Sequence, residues 1–143
     1  MKWKIFFQLL LVVLIITIQG CKKDSATEPA NSYSNKIELG AGLDQSNPFN
    51  LIGTATTFSG IPALIYFRLE SADDMGGSAV SISVQKLSGS NYANYYSFEY
   101  PNPQSYGHII VSAFSIQDKG NYKVSAYLVN GNKFVAAKEF TVQ

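Results

Sequence analysis

One thiol, one imidazole, one pair of adjacent carboxylates and one run of tyrosines are the groups in this 143-residue chain with the means to do chemistry. The thiol, Cys21, is solitary, so it closes no internal disulfide and supports no cysteine-based zinc site. It stands where a long apolar run ends. His108 is the only group suited to general-base work near neutral pH. Acyl transfer would also need a nucleophile and an orienting group converging on it. No Gly-x-Ser-x-Gly elbow accompanies His108, and its period sets it opposite Ile109 and Val111, the expected core face of its strand. It reads as a surface or edge histidine, and the chain reads as non-catalytic. Asp73-Asp74-Met75-Gly76-Gly77 pairs two carboxylates with glycine turns, a composition that suits a hard cation. Calcium takes six to eight oxygens, and no distal Glu follows at loop spacing; Glu70 or Asp44 would complete a site only through the fold. A solvated turn is expected there, with no metal and no cofactor.

The tyrosines are concentrated. Asn91 to Tyr106 carries Tyr92, Tyr95, Tyr96, Phe98, Tyr100 and Tyr106, interleaved with Asn91, Asn94, Asn102 and Gln104. Flat rings beside amides suit the apolar faces and hydroxyls of a glycan. The same composition suits a protein interface, where Tyr supplies rigid amphipathic area at small entropic cost. A third reading is structural, with alternate rings filling a core while their hydroxyls reach its rim. Tyr92, Tyr95, Tyr106 and Asn94 are the candidate ligand or partner contacts.

Composition narrows the rest. Eleven Lys plus Arg against 10 Asp plus Glu leave no basic field for nucleic acid and no acidic tail. The length suffices for one domain of ordinary size.

Residues 1–20 read as a signal. Lys2 and Lys4 precede a fourteen-residue apolar run, Ile5 to Ile18, interrupted only by Gln8 and Thr17. A helix of that length rises about 21 Å, short of a hydrocarbon core of roughly 30 Å. A cleaved signal peptide fits better than a spanning anchor. The sequence at its end, Ile18-Gln19-Gly20-Cys21, resembles the lipobox of bacterial lipoproteins, departing from it at Gln19, where Ala or Ser is usual. The resemblance implies that Cys21 is diacylated on its thiol, that the signal is removed and that the new amino terminus is acylated. Each buried methylene contributes roughly 0.8 kcal/mol, so two or three acyl chains hold a protein on a bilayer durably. Lys22 in place of Asp after the Cys implies, by the same resemblance, an outer-membrane destination. Removing the signal takes Lys2, Lys4 and the sole Trp, Trp3, and leaves a formal charge of −1. Without Trp, the usual stacking platform for sugars is missing.

Lys22 to Ser34 has no apolar periodicity and is rich in Ser, Ala, Pro and Asn, the composition of a flexible tether, so residues 21–35 are assigned to lipidated Cys and tether. From Lys36 to Gln143 the period is two. Ala63, Ile65, Phe67 and Leu69 alternate with Leu64, Tyr66, Arg68 and Glu70. Val80, Ile82 and Val84 form a second set, Tyr96, Phe98 and Tyr100 a third, Ile109, Val111 and Ala113 a fourth, and Tyr122, Val124, Ala126 and Leu128 a fifth. A last strand is expected over Lys133 to Val142, after an Asn130-Gly131 hairpin turn. Weaker strands are expected at Ile37–Leu39 and Leu51–Thr57. Seven or eight short strands spaced by turns argue for an all-β antiparallel sandwich.

At Asp118-Lys119-Gly120-Asn121-Tyr122-Lys123-Val124 the chain resembles the immunoglobulin-like family, in the Asp-x-Gly-x-Tyr-x-hydrophobic opening of strand F. The resemblance implies that the Tyr122 hydroxyl bonds nearby backbone as a tyrosine corner, with Asp118 and Gly120 structural. It also implies a module of the kind common in bacterial lipoproteins, spanning Lys36 to Gln143. The family's cysteine pair is absent, with Val124 in the second Cys position, so the faces must hold by aliphatic and Phe burial. The expected protein is a membrane-anchored envelope lipoprotein, an interaction or accessory module. Its expected partners are the bilayer through Cys21 and an envelope protein or glycan. The alternative is a surface glycan-binding module using the Tyr92–Tyr106 segment.

Overall fold

The computed structural model describes residues 33–101 and 107–143, which lie within one compact unit. Nine strands form two sheets. The strands are β1 (Lys36–Leu43), β2 (Leu51–Thr54), β3 (Thr57–Phe58), β4 (Ala63–Glu70), β5 (Val80–Ser88), β6 (Asn91–Tyr100), β7 (Ile109–Ile116), β8 (Gly120–Leu128) and β9 (Lys133–Val142). One sheet runs β2-β1-β4-β7, and the other runs β3-β9-β8-β5-β6. All pairings are antiparallel except the short β3–β9 contact.

Alternation decides which faces meet. Ile65, Phe67 and Leu69 of β4 and Val80, Ile82 and Val84 of β5 are fully buried between the sheets, joined by Leu39, Tyr122, Val124 and Val142. The expected strand over Leu51–Thr57 divides in two. β2 pairs with β1, and after Ala55-Thr56 the chain crosses to the other sheet, where β3 lies beside β9. The Asn130-Gly131 turn is a one-turn 3-10 segment, Asn130–Asn132, in which Gly131 (φ 78°) and Asn132 (φ 48°) take the left-handed backbone.

The face assignment of β7 is corrected. Ile110, Phe114 and Ile116 are its buried residues, whereas Ile109, Val111 and Ala113 are only partly covered. Both alternating sets of this strand contain apolar residues, so its own sequence does not choose between them. The register with β4 chooses, by pairing Phe114 with inward-facing Ile65. Core composition also departs from expectation, because Tyr122 is the largest fully buried side chain.

Rings tie the two sheets together. Phe114 of one sheet lies 5.8 Å from Phe140 and 6.3 Å from Phe98 of the other, centroid to centroid. From these, contacts of 5.3–5.6 Å continue through Tyr122, Tyr95 and Tyr96 and close a circuit. Two β6 hydroxyls then reach the opposite sheet. Tyr96 donates to the Ser115 carbonyl at 2.9 Å, and Tyr100 donates to the Ala113 carbonyl. Each such bond contributes on the order of 1 kcal/mol net. Tyr96→Phe and Tyr100→Phe should each lower the unfolding free energy by about 0.5–1.5 kcal/mol. The check is urea denaturation, with the midpoint shifting and the slope unchanged.

Candidate functional site

The Asp118–Tyr122 motif runs from the β7–β8 turn into the start of β8, and each of its marked residues has a mechanical role. The Tyr122 hydroxyl donates to the Asp118 carbonyl at 2.8 Å, closing the tyrosine corner. The Asp118 carboxylate accepts from the Tyr95 hydroxyl at 3.2 Å and lies 3.7 Å from the Lys86 ammonium. That ammonium stands 5.6 Å from the Tyr122 ring centroid and 6.0 Å from that of Tyr95, within cation–π range. Gly120 leaves the space Lys86 occupies, because a Cβ there would come within 2.9 Å of Lys86 Cε. Its φ of 151° also disfavours any side chain. Burial raises the Tyr122 phenol, and the nearby Asp118 charge adds to that shift.

The tyrosine segment is divided by a β-bulge. Register shifts between Val84 and Gln85, whose partners are Tyr96 and Asn94, so Tyr95 is the extra residue. The bulge lets Tyr95 and Tyr96, neighbours in sequence, both pack against the core. Tyr95 is thus half-buried, with its hydroxyl on Asp118, and burial raises both of these phenols. Asn94 is exposed beside Gln85, its side-chain oxygen accepting from Ser97 at 3.4 Å. Tyr92 faces a cleft of about 290 Å³ with Thr57, Asn121, Glu139 and Thr141. Lys123 lies 5.8 Å from its ring centroid. Burial, and then the Glu139 carboxylate, raise the Tyr92 phenol. The cleft's polar groups engage one another, since Thr141 donates to Asn121 at 2.8 Å. Tyr106 and Cys21 lie outside the described residues.

His108 has a structural place. Its Nδ1 is 2.9 Å from the Ser71 carbonyl, and its ring stacks on Tyr33 at 4.2 Å and 8°. The residues after Tyr33 are fastened nearby. Ser34 donates its amide to Glu70 at 2.8 Å and its hydroxyl at 3.2 Å, and Asn35 accepts the Ala72 amide at 2.8 Å. Arg68 (2.8 Å) and Lys36 (3.5 Å) complete the surroundings of the nearly buried Glu70 carboxylate. The domain's N-terminal end is therefore clasped to the β4–β5 end of the sandwich. Sequence reading did not single out Glu70 for this role, although its period-two spacing from Arg68 already placed the two on one face.

The acidic turn is occupied by local partners. Asp73 pairs with Lys133, and Asp74 accepts the Gly76 amide at 2.7 Å. Among the described residues, no three His, Cys, Asp or Glu side chains cluster to hold a metal ion.

Among the described residues, one flank of the sandwich is uncovered between β6 and β7. A groove of about 290 Å³ runs there, lined by Tyr96, Phe98, Tyr100, Ala113, Phe114 and Ser115. Tyr96, Phe98 and Tyr100 face the core and are partly buried at this opening.

Two packed sheets with a closed tyrosine corner define the chain as an immunoglobulin-like β-sandwich. No family model matches the chain, and no curated protein matches it. Among solved structures it is similar to an immunoglobulin-like protein from Pseudomonas aeruginosa, at 16% identity and a TM-score of 0.48. The match covers 78% of this chain and 94% of that one.

Two outcomes test these roles. Gly120→Ala should destabilise the fold by about 1 kcal/mol, because alanine is strained at the positive φ, whereas the flexible Lys86 end can move aside; thermal denaturation against wild type reads it. The second concerns pH. The Ser34 amide first, then Arg68 and Lys36, hold the Glu70 carboxyl down to about 2 from 4.5, although burial opposes them. A carboxylate whose folded pKa is depressed contributes stability that is whole above its unfolded value and lost as pH falls. The stability difference between wild type and Glu70→Gln should therefore be full above pH 4.5 and shrink as pH falls toward 2. Chemical denaturation across that window checks it.

Proposed function

We propose that the chain is a lipid-anchored lipoprotein of the bacterial cell envelope, directed to the outer membrane, whose sandwich is a non-catalytic interaction module. The observation that carries this reading is the order of parts: a signal-like apolar run, Cys21 at its end, a short polar stretch, and a sandwich clasped at Tyr33–Asn35. With Cys21 acylated, the domain is held by its β4–β5 end. The β5–β6 and β7–β8 turns then lie at the far end of the strands, and the β6–β7 flank lies along the side. The sole histidine is stacked on Tyr33 and bonded to a backbone carbonyl, which supports a structural role over a catalytic one.

A glycan-binding reading has one observation in its favour, the polar cleft beside Tyr92. It is the weaker reading, because Tyr95 turns to the core and Asn121 and Thr141 already bond each other.

Metabolic labelling with a fatty-acid probe tests the anchor. Wild type should carry the label and fractionate with membranes. Cys21→Ser should carry none and keep its signal. A labelled Cys21→Ser protein would overturn the proposal.

A further inference from the structure

We infer that β6 is an assembly edge, which pairs antiparallel with β6 of a second copy about a two-fold axis at Phe98. This rests on the sandwich and its open flank and is independent of the lipid anchor.

Four observations point there. β6 is the last strand of its sheet among the described residues, so one side of its backbone has no strand partner. Its ten residues contain no Lys, Arg or Pro, and its one charge is Glu99; of the usual protections of an edge it has only that charge and the Tyr95 bulge, which lies outside the regular stretch of residues 96–100. The β7 edge across the groove differs, because the Tyr96 and Tyr100 hydroxyls occupy its Ser115 and Ala113 carbonyls. The three core-facing rings of β6 are only partly buried, and a strand added to this edge would cover what remains.

The sequence of the edge selects the occupant. Beyond the Tyr95 bulge, the straight stretch Tyr96-Ser97-Phe98-Glu99-Tyr100 keeps its aromatic pattern when read in either direction. An interface between identical copies about a two-fold axis needs this self-complementarity, since each contact occurs twice. With the axis at Phe98, Tyr96 of each copy faces Tyr100 of the other, and the two Phe98 rings face each other. On the outer surface, Ser97 faces Glu99 of the second copy, so the two carboxylates are never directly opposite. The five-stranded sheets would join into one of ten strands, and the two open flanks would close on each other. Cross-strand aromatic pairs and the backbone ladder supply the attraction.

The register makes a test with opposite signs. Ser97 is exposed, so its substitution spares the core. Ser97→Lys places an ammonium opposite Glu99 of the second copy, twice per dimer, and Ser97→Glu places a carboxylate there. Sedimentation velocity on residues 22–143, which contain every residue of the described core, should show a reversible dimer. Ser97→Lys should tighten it and Ser97→Glu loosen it, each by about 2- to 30-fold in Kd at low salt. Thermal denaturation of each variant confirms that the fold is kept. Wild type and Ser97→Lys both monomeric at millimolar concentration would overturn the inference. So would a dimer indifferent to both substitutions, or one that responds with the signs reversed.

Discussion

Among the described residues no disulfide joins the two sheets of this sandwich, and at the β6–β7 flank a pair of phenol hydroxyls bridges them. Tyr96 and Tyr100 start on one sheet, lay their rings across the gap, and end on carbonyls of the other. Phenylalanine would supply the same apolar area without the bond. Tyrosine does both, because its apolar ring is long enough to cross the interior and its polar tip needs a partner at the far side. The carbonyls it finds belong to β7, an edge strand, where backbone groups lack a neighbouring strand. The same two hydroxyls thus add to the cohesion of the sheets and occupy two carbonyls of that edge.

The tyrosine corner extends this logic to the far end of the strands. Tyr122 fixes the approach to β8, Asp118 supplies the carbonyl it bonds, and the Asp118 carboxylate gathers Lys86 and Tyr95. The ring circuit then carries the contact from Tyr122 to Phe140 and on to Phe114 of the opposite sheet. A sandwich without a disulfide replaces one strong local tie with several weaker ones, which must be geometrically consistent to act together. The bulge at Tyr95 serves that consistency. Without the extra residue, Tyr95 would alternate to the outer surface, away from Tyr122 and Asp118.

The domain's surfaces are correspondingly unequal. The β4–β5 end is engaged by the N-terminal clasp on Glu70, Ala72 and His108. Across the flank, β7 has two carbonyls occupied while the outer side of β6 has no strand partner among the described residues, and this asymmetry gives the proposed interaction module a direction. The chemical groups that drew attention in the sequence are mostly inside this architecture. His108 holds a loop carbonyl, Asp73 and Asp74 hold a turn, and Tyr95 supports the corner.

Strand positions were legible in the sequence because a strand with one buried face must alternate, and β4, β5 and β8 do so with polar or exposed residues on the other side. The last strand does not alternate cleanly, and it was legible from its preceding turn, whose residues Gly131 and Asn132 take positive φ. The corner was legible because Asp, Gly and Tyr at that spacing answer to local geometry alone. β7 was not, since apolar residues occupy both of its faces and only pairing with β4 decides between them. The same limit applied to the tyrosine segment. Its composition fits a core, an interface or a glycan platform, and which way Tyr95 faces turned on one extra residue in the β5–β6 register. Sequence by itself determined a signal-like start with Cys21 at its end, one all-β domain and the corner, because these depend on neighbours along the chain. Tertiary structure decided which rings are interior, where Glu70 finds its partners and which strands end each sheet among the described residues, because those depend on residues distant in sequence and brought together only by sheet pairing.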